Sequence, residues 1–307
     1  MEWILFVSQV LNGLQLGILL FLLAAGLTLV FGIMNFINLA HGSLYMMGAY
    51  FCVTLTSLLG SFPLAVLLSI PLTFVLGIAI ERLVVRHLYQ RDHLDQVLAT
   101  FGLILFFNGA VHLLWGAEGN PIRLPDYLNG RVTLLAGIEI PAFRLAIIAT
   151  GLMVAGGLIW LVGKTRMGML IRAGASNRRM AGALGVDIKK LFTLVFALGA
   201  AMAGLAGMMI APITEAYIGM GDDILIVALV VIIIGGIGSI RGAFVAALLV
   251  GMIDVMGRAY LDSFMKLFMN IQSAETASPA LSAMAIYILM AGILYFRPRG
   301  LFPPKHR

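Results

Sequence analysis

The sequence predicts an all-α polytopic membrane protein with about 8–10 transmembrane helices, a number set by the runs of roughly twenty apolar residues needed to cross hydrocarbon. Three observations lead there. Of 307 residues, 61% are hydrophobic and only 11% charged, where a soluble domain carries about a quarter. Nine apolar runs of near-spanning length follow one another with no soluble domain between them. The basic interruptions all fall at one side of the resulting scheme and an acid-rich turn falls at the other, as the positive-inside rule requires.

The segment that sets the orientation is residues 164–190, with Lys164, Arg166, Arg172, Arg178, Arg179, Lys189 and Lys190 against the single acid Asp187. It is expected on the cytoplasmic side. Met180, Ala183 and Leu184 recur at helical spacing, so its middle reads as a short helix with a small apolar face.

In chain order, the first span is expected at about 10–33, preceded by Glu2 and no cation, which places the N-terminus outside. A second runs to about Leu59. A third, 63–80, contains Pro71 and leads into a second basic loop with Glu81, Arg82, Arg86 and Arg91. Spans at 94–115 and 141–162 flank residues 116–140, the longest outer connector, with Asn120-Pro121, Pro125-Asp126 and Asn129-Gly130 as turn signals. Arg144 lies near enough to an outer end to snorkel. In the span at 191–211, Gly199, Ala203 and Gly207 recur every fourth residue alongside Ala200 and Gly204, which predicts close helix packing. Then come an acid-bearing turn, a span at 224–240, and one at 243–260 with Ala243, Ala247 and Gly251 in the same device. Asp254 and Arg258 are spaced for an ion pair. A second outer loop is expected at 262–278, Pro279 opens the last span, and Arg297, Arg299, Lys305 and Arg307 end the chain inside. The whole chain, 1–307, reads as a single transmembrane domain.

Two polar or glycine-rich breaks interrupt this pattern. Asn35, Asn38, His41 and Gly42 form a polar stretch that is either a turn or a broken helix; its side chains serve either as hydrogen-bonding glue between helices or as the lining of a path. Gly235, Gly236 and Gly238 mark a second bend. Their presence in the two halves suggests a faint internal repeat, a device of transporters.

Function classes are narrowed by what the motifs lack. The formal charge of +6 is scattered between apolar runs rather than gathered on one face, which argues against nucleic acid. There is no HExxH, no GxSxG and no Walker A sequence, so neither an intramembrane enzyme nor a nucleotide hydrolase is indicated, and no cofactor is expected. The single cysteine, Cys52, is expected to be a buried small hydrophobe. The span centres are almost free of ionisable residues, so active transport would draw its energy from another polypeptide; a self-contained secondary carrier or channel is the rival class.

Four stretches, FGIMNFINLAHGSLYMMGAY at 31–50, TRMGMLIRAGASNRRMAGALGVD at 165–187, FALGAAMAGLAG at 196–207 and IGGIGSIRGAF at 234–244, together resemble the inner-membrane permeases of branched-chain amino acid ABC importers, the LivH type. The resemblance covers the chain in order. It implies a multi-pass subunit of the bacterial inner membrane, working with two ABC ATPase subunits, a second LivM-like permease, a periplasmic substrate-binding protein and the surrounding membrane lipid. Residues 175–185, including Ala175, Ser176, Asn177, Arg178, Arg179, Ala181, Leu184 and Gly185, would then be the coupling helix seated on an ATPase. Asn35, Asn38, His41 and Gly42, with Gly235, Gly236 and Gly238, would border the translocation path. Related systems carry urea, amides or other small polar solutes. Ser176 and Asn177, followed by two arginines, stand where some members carry acids, which implies a more acidic groove on the partner.

Overall fold

Two long helices occupy the middle of the computed structural model, which describes residues 2–133 and 139–303. The first, α1 (Glu2–Met34), has 33 residues and is about 50 Å long at 1.5 Å per residue. Around it stand α2 (His41–Leu59), α3 (Phe62–Leu83), α4 (His93–Trp115), the short α5 (Asp126–Asn129), α6 (Ala142–Lys164), α7 (Arg166–Ser176), α8 (Arg178–Ala183), the second long helix α9 (Ile188–Thr214), α10 (Met220–Gly235), α11 (Ile240–Met265) and α12 (Ile271–Phe296). One small antiparallel hairpin, β1 (Arg131–Thr133) with β2 (Glu139–Pro141), pairs Val132 with Ile140. Eight of these helices, among the described residues, are long and apolar enough to cross a membrane. The ninth expected span is α10, which has 16 residues and therefore reaches only about 24 Å.

The central pair is held by absence of side chains. Gly26 of α1 faces Gly199 of α9 so closely that a Cβ on Gly26 would lie 2.7 Å from the Gly199 carbonyl oxygen. The small residues of α9 all meet neighbours: Gly204 packs on Gly48 and Thr73, Gly207 on the Tyr45 carbonyl, and Ala200 on Gly77. Close backbone approach gains dispersion contacts that a lipid tail cannot replace, which is how helices associate where there is no water to expel. The same device joins α1 to α11, where Gly17 meets Ala247 and Leu248, and Gly251 meets Gly13 and Gly17.

An inverted repeat organises the bundle. α1 and α9 run antiparallel, with Gly26 against Gly199 and Ile33 near Leu191, both beside Gly174. Each ends in one of the two described non-glycine residues with positive φ, Asn35 (49°) and Glu215 (68°). Each is followed by a short non-helical return into a second helix, α2 or α10, whose second residue is glycine. Those two glycines, Gly42 and Gly221, touch: a Cβ on either would lie 2.2 or 2.0 Å from the carbonyl oxygen of the other. α3 packs on α9 as α11 packs on α1. The repeat therefore relates the break at 35–40 to that at 215–219, and not to the glycine bend at 236–239 as the sequence pattern suggested. Glycine spacing misled because the bend has another cause, the close approach of Gly235 to Gly242 and of Gly238 to Gly32.

Several boundaries differ from expectation, beginning with α1, which starts at Glu2 rather than near residue 10. The connector expected over 262–278 shrinks to 266–270, because α11 continues to Met265 and α12 begins at Ile271 under the Asn270 cap, whose Oδ1 accepts from Ser273 N at 2.8 Å. Pro279 consequently lies inside α12 rather than at its start. Lys266 bonds Asp262 at 2.8 Å and Glu275 at 2.9 Å, binding the two helix extensions together. The long connector expected over 116–140 contains α5 and the hairpin, and Asn120 pairs with Ala216. Its residues 134–138, like the terminal cations Lys305 and Arg307, lie outside the described residues.

Candidate functional site

The basic segment 164–190 folds as two helices, α7 and α8, where the sequence suggested one helix centred on 175–185. The cause is three capping side chains. Thr165 Oγ1 accepts from Gly168 N at 3.1 Å, Asn177 Oδ1 from Met180 N at 2.9 Å, and Asp187 Oδ1 from Lys190 N at 3.1 Å, so helices begin after each. Short polar side chains compete for backbone donors and so end one helix while starting the next. Of the residues implied as coupling contacts, Ala175 and Ser176 close α7, Asn177 is the cap, and Leu184 and Gly185 (φ 89°) turn the chain back toward α9.

The two adjacent arginines have different jobs. Arg178 is half-buried; its Nε donates to the Ile33 carbonyl at 3.2 Å and its guanidinium lies 5.3 Å from the Phe192 ring centroid. Arg179 is exposed. Ala181 is buried beneath α8, whereas Met180 and Leu184 are 58% and 79% exposed and Ala183 also faces outward. The predicted apolar face is thus present and uncovered, on a frame fixed to the last turn of α1.

Beneath this loop lies a network the sequence reading passed over. Glu81, at the end of α3, is fully buried; it accepts from Tyr89 Oη at 2.6 Å, Thr193 Oγ1 at 2.7 Å, and the Arg86 guanidinium at 3.1 and 3.3 Å. Gln96, in the first turn of α4, is likewise buried. Its amide donates to the Leu88 and Arg91 carbonyls at 3.3 and 3.2 Å, and its oxygen accepts from Ile37 N at 3.4 Å. Together they tie the loop after α3 to α9 and to the first break. The available signal was an acid and an amide set among apolar neighbours at helix ends.

At the first break, Asn35 is the left-handed cap of α1, its N donating to the Phe31 carbonyl at 2.9 Å, and it is exposed. Asn tolerates that conformation, which accounts for it without a ligand. Asn38 and His41 are buried. The His41 Nε2 lies 3.2 Å from the Leu23 carbonyl oxygen, while both amide atoms of Asn38, the His41 Nδ1 and the Ser43 Oγ have no hydrogen-bond partner among the described residues. Leu23 is eleven residues above the end of α1, so the return carries His41 back toward mid-bundle. Gly235, Gly236 and Gly238 are not brought to this point. They sit at the far end of α10, roughly 21 Å from Gly221, where Leu301 N and Phe302 N cap the Ile234 and Gly235 carbonyls at 2.8 and 3.0 Å. The ion pair expected between Asp254 and Arg258 forms, at 3.0 Å, and Arg144 donates to Asn12 of α1.

Comparison with known proteins agrees with this architecture. The high-affinity branched-chain amino acid transport system permease protein BraD of Pseudomonas aeruginosa is 29% identical over 96% of this chain and 95% of its own length. LivH of Escherichia coli strain K12 is 29% identical over 95% and 96% respectively. The probable LivH permease of Methanocaldococcus jannaschii is 30% identical over 80% of this chain and 79% of its own. No solved structure matches. A family described as "Branched-chain amino acid transport system / permease component" matches residues 9–294, and with that extent of match to an eight-span, α-helical bundle the chain belongs to this permease family.

Proposed function

We propose that this chain is the inner-membrane permease subunit of an ABC importer for branched-chain or related amino acids, moved by ATP hydrolysis on two separate ATPase subunits. A second, LivM-like permease completes the path, and a periplasmic binding protein delivers the substrate. The N-terminus faces the periplasm and the basic loop faces the cytoplasm, an orientation supported by the concentration of Lys and Arg at that end of the bundle. The observation that carries the reading is the pair Met180 and Leu184, large apolar side chains left exposed at the tip of a charged loop that is itself pinned to α1. Isolated in water such a pair is a cost; against an ATPase it is a grip.

Force applied to α8 would reach α1 through Arg178, and α9 through the turn at Gly185. The contact of Gly42 with Gly221 would be the closed point of the path, and Asn38, His41 and Ser43 the polar groups beside it. Met180→Glu with Leu184→Glu tests this. The variant is expected to insert and melt as wild type, yet to lose co-purifying ATPase and ATP-dependent uptake of leucine. Wild-type uptake in that variant would overturn the coupling assignment.

A further inference from the structure

At the basic end a groove of about 720 Å³ opens between α6, α7 and the start of α11. Lys164, Arg172 and Arg241 line it, and among the described residues no carboxylate does. Arg172 donates to the Val162 carbonyl, which fixes its head at the α6–α7 elbow. Lys164 and Arg241 have no acidic partner among the described residues. Ser239 Oγ accepts from Gly242 N at 3.1 Å, so the 26-residue α11 starts at the groove, adding the positive end of its dipole to the three cations.

The rest of the groove is apolar, and it opens sideways along α6. Ile159 and Trp160 line it at 50% and 64% exposure, and Leu152 and Met153 continue the exposed stripe about two turns further from the loop. Gly156 and Gly157 lie in the same stretch with nothing among the described residues within 4 Å of a Cβ, leaving the surface flat. The stripe runs about 12 Å along the helix axis. Three cations above an outward-facing apolar track, with an indole at the junction, match an amphiphile lying parallel to the helix. A soluble phosphate would use only the upper part.

We propose that this groove binds an anionic glycerophospholipid, its phosphate held by Lys164, Arg241 and Arg172 and one acyl chain lying along Ile159, Gly156 and Leu152. The site is separate from the uncovered face of α8 and from the Gly42 contact. It places a lipid against the elbow that carries the basic loop.

The test is the phosphatidylglycerol and cardiolipin retained per chain when the full-length protein is purified in mild detergent, measured by mass spectrometry. Lys164→Gln with Arg241→Gln should reduce retention on the order of tenfold, as expected for two lost charge contacts. Arg166→Gln with Arg179→Gln makes the same change in net charge outside the groove and should retain wild-type lipid, as should Lys164→Arg with Arg241→Lys. Equal retention in the groove and control variants overturns the proposal, as does binding of inorganic phosphate at the groove with lipid retention unaffected. Should the groove variant fail to fold, a benzophenone side chain placed at position 160 of the otherwise wild-type chain decides the matter. A phospholipid adduct supports the site; a protein adduct, or no lipid adduct, overturns it.

Discussion

The guanidinium of Arg178 reaches across the foot of the bundle to the Ile33 carbonyl, 3.2 Å from its Nε. In its last turn, one residue before its end, α1 therefore has a charged donor on an otherwise orphaned carbonyl, and α8 has an anchor. Arg178→Ala should destabilise the folded chain by about 1–3 kcal/mol, the usual worth of a hydrogen bond to a charged group. Arg179→Glu should leave the melting temperature unchanged while lowering ATP-dependent uptake. Thermal denaturation in detergent alongside transport in vesicles separates the two; equal melting losses in both variants would refute the division of labour.

Gly42 and Gly221 allow no side chain where they meet. Gly221→Ala would bring a methyl to 2.0 Å from the Gly42 carbonyl, and overpacking of this kind costs about 1–3 kcal/mol. Either the fold weakens or the contact opens. Cysteines placed on α2 and α10 near this point should crosslink in the parent and crosslink poorly in the Ala variant.

Glu81 accepts hydrogen bonds from three different residues in a fully buried site. Glu81→Ala leaves the Arg86 guanidinium, 34% exposed, without its counter-ion and the Tyr89 and Thr193 hydroxyls without their acceptor, and should cost about 1–3 kcal/mol, with Glu81→Gln costing less. Yield and melting temperature of the purified protein are the readouts. An Ala variant as stable as its parent would remove the network from the account of how the loop is held.

Asp187 caps α9, and the Lys190 backbone N–H holds its carboxyl below the ordinary aspartate value, with the Lys190 side chain adding to the effect. A depressed folded value means that its contribution is complete above the unfolded pKa of about 3.9 and is lost as pH falls through the lower folded one. Amide exchange over residues 188–191 should therefore be slow at neutral pH and accelerate below pH of about 4 relative to the intrinsic rate. In Asp187→Asn that acid-specific change should be absent.

Span number, the tight packing of α9 and α11, and the basic loop could all be read from the sequence, because hydropathy and small-residue spacing report directly on burial in lipid. Residues 35–43 could be read as a break but not as a cap followed by a return, since Asn35 and His41 look alike as polar residues and differ only in where the backbone takes them. The caps at Thr165, Asn177 and Asp187 were visible as residue types, yet the strong charge of the segment obscured them. Glu81 was read as a loop residue, and Gln96 was not singled out within its span, because burial at a helix end depends on which helix packs over it, in this case α9 over Glu81. The pairing of residues 35–40 with 215–219 had almost no local signature. It depends on a positive φ at Glu215, a residue that rarely adopts one.

That pairing has a consequence for how such a bundle would work. When two halves of opposite polarity meet at one shared point, neither half has a conformation proper to its own side of the membrane. Any shape taken by α1 and α2 is available in outline to α9 and α10, so a state open one way needs no separate design to be open the other; the halves exchange roles. Evolution then has to encode a single rearrangement and a modest difference in energy between its two images. In this chain the difference would be written in unlike side chains around a like backbone, His41 in one half and Met220 in the other, each directly preceding its glycine.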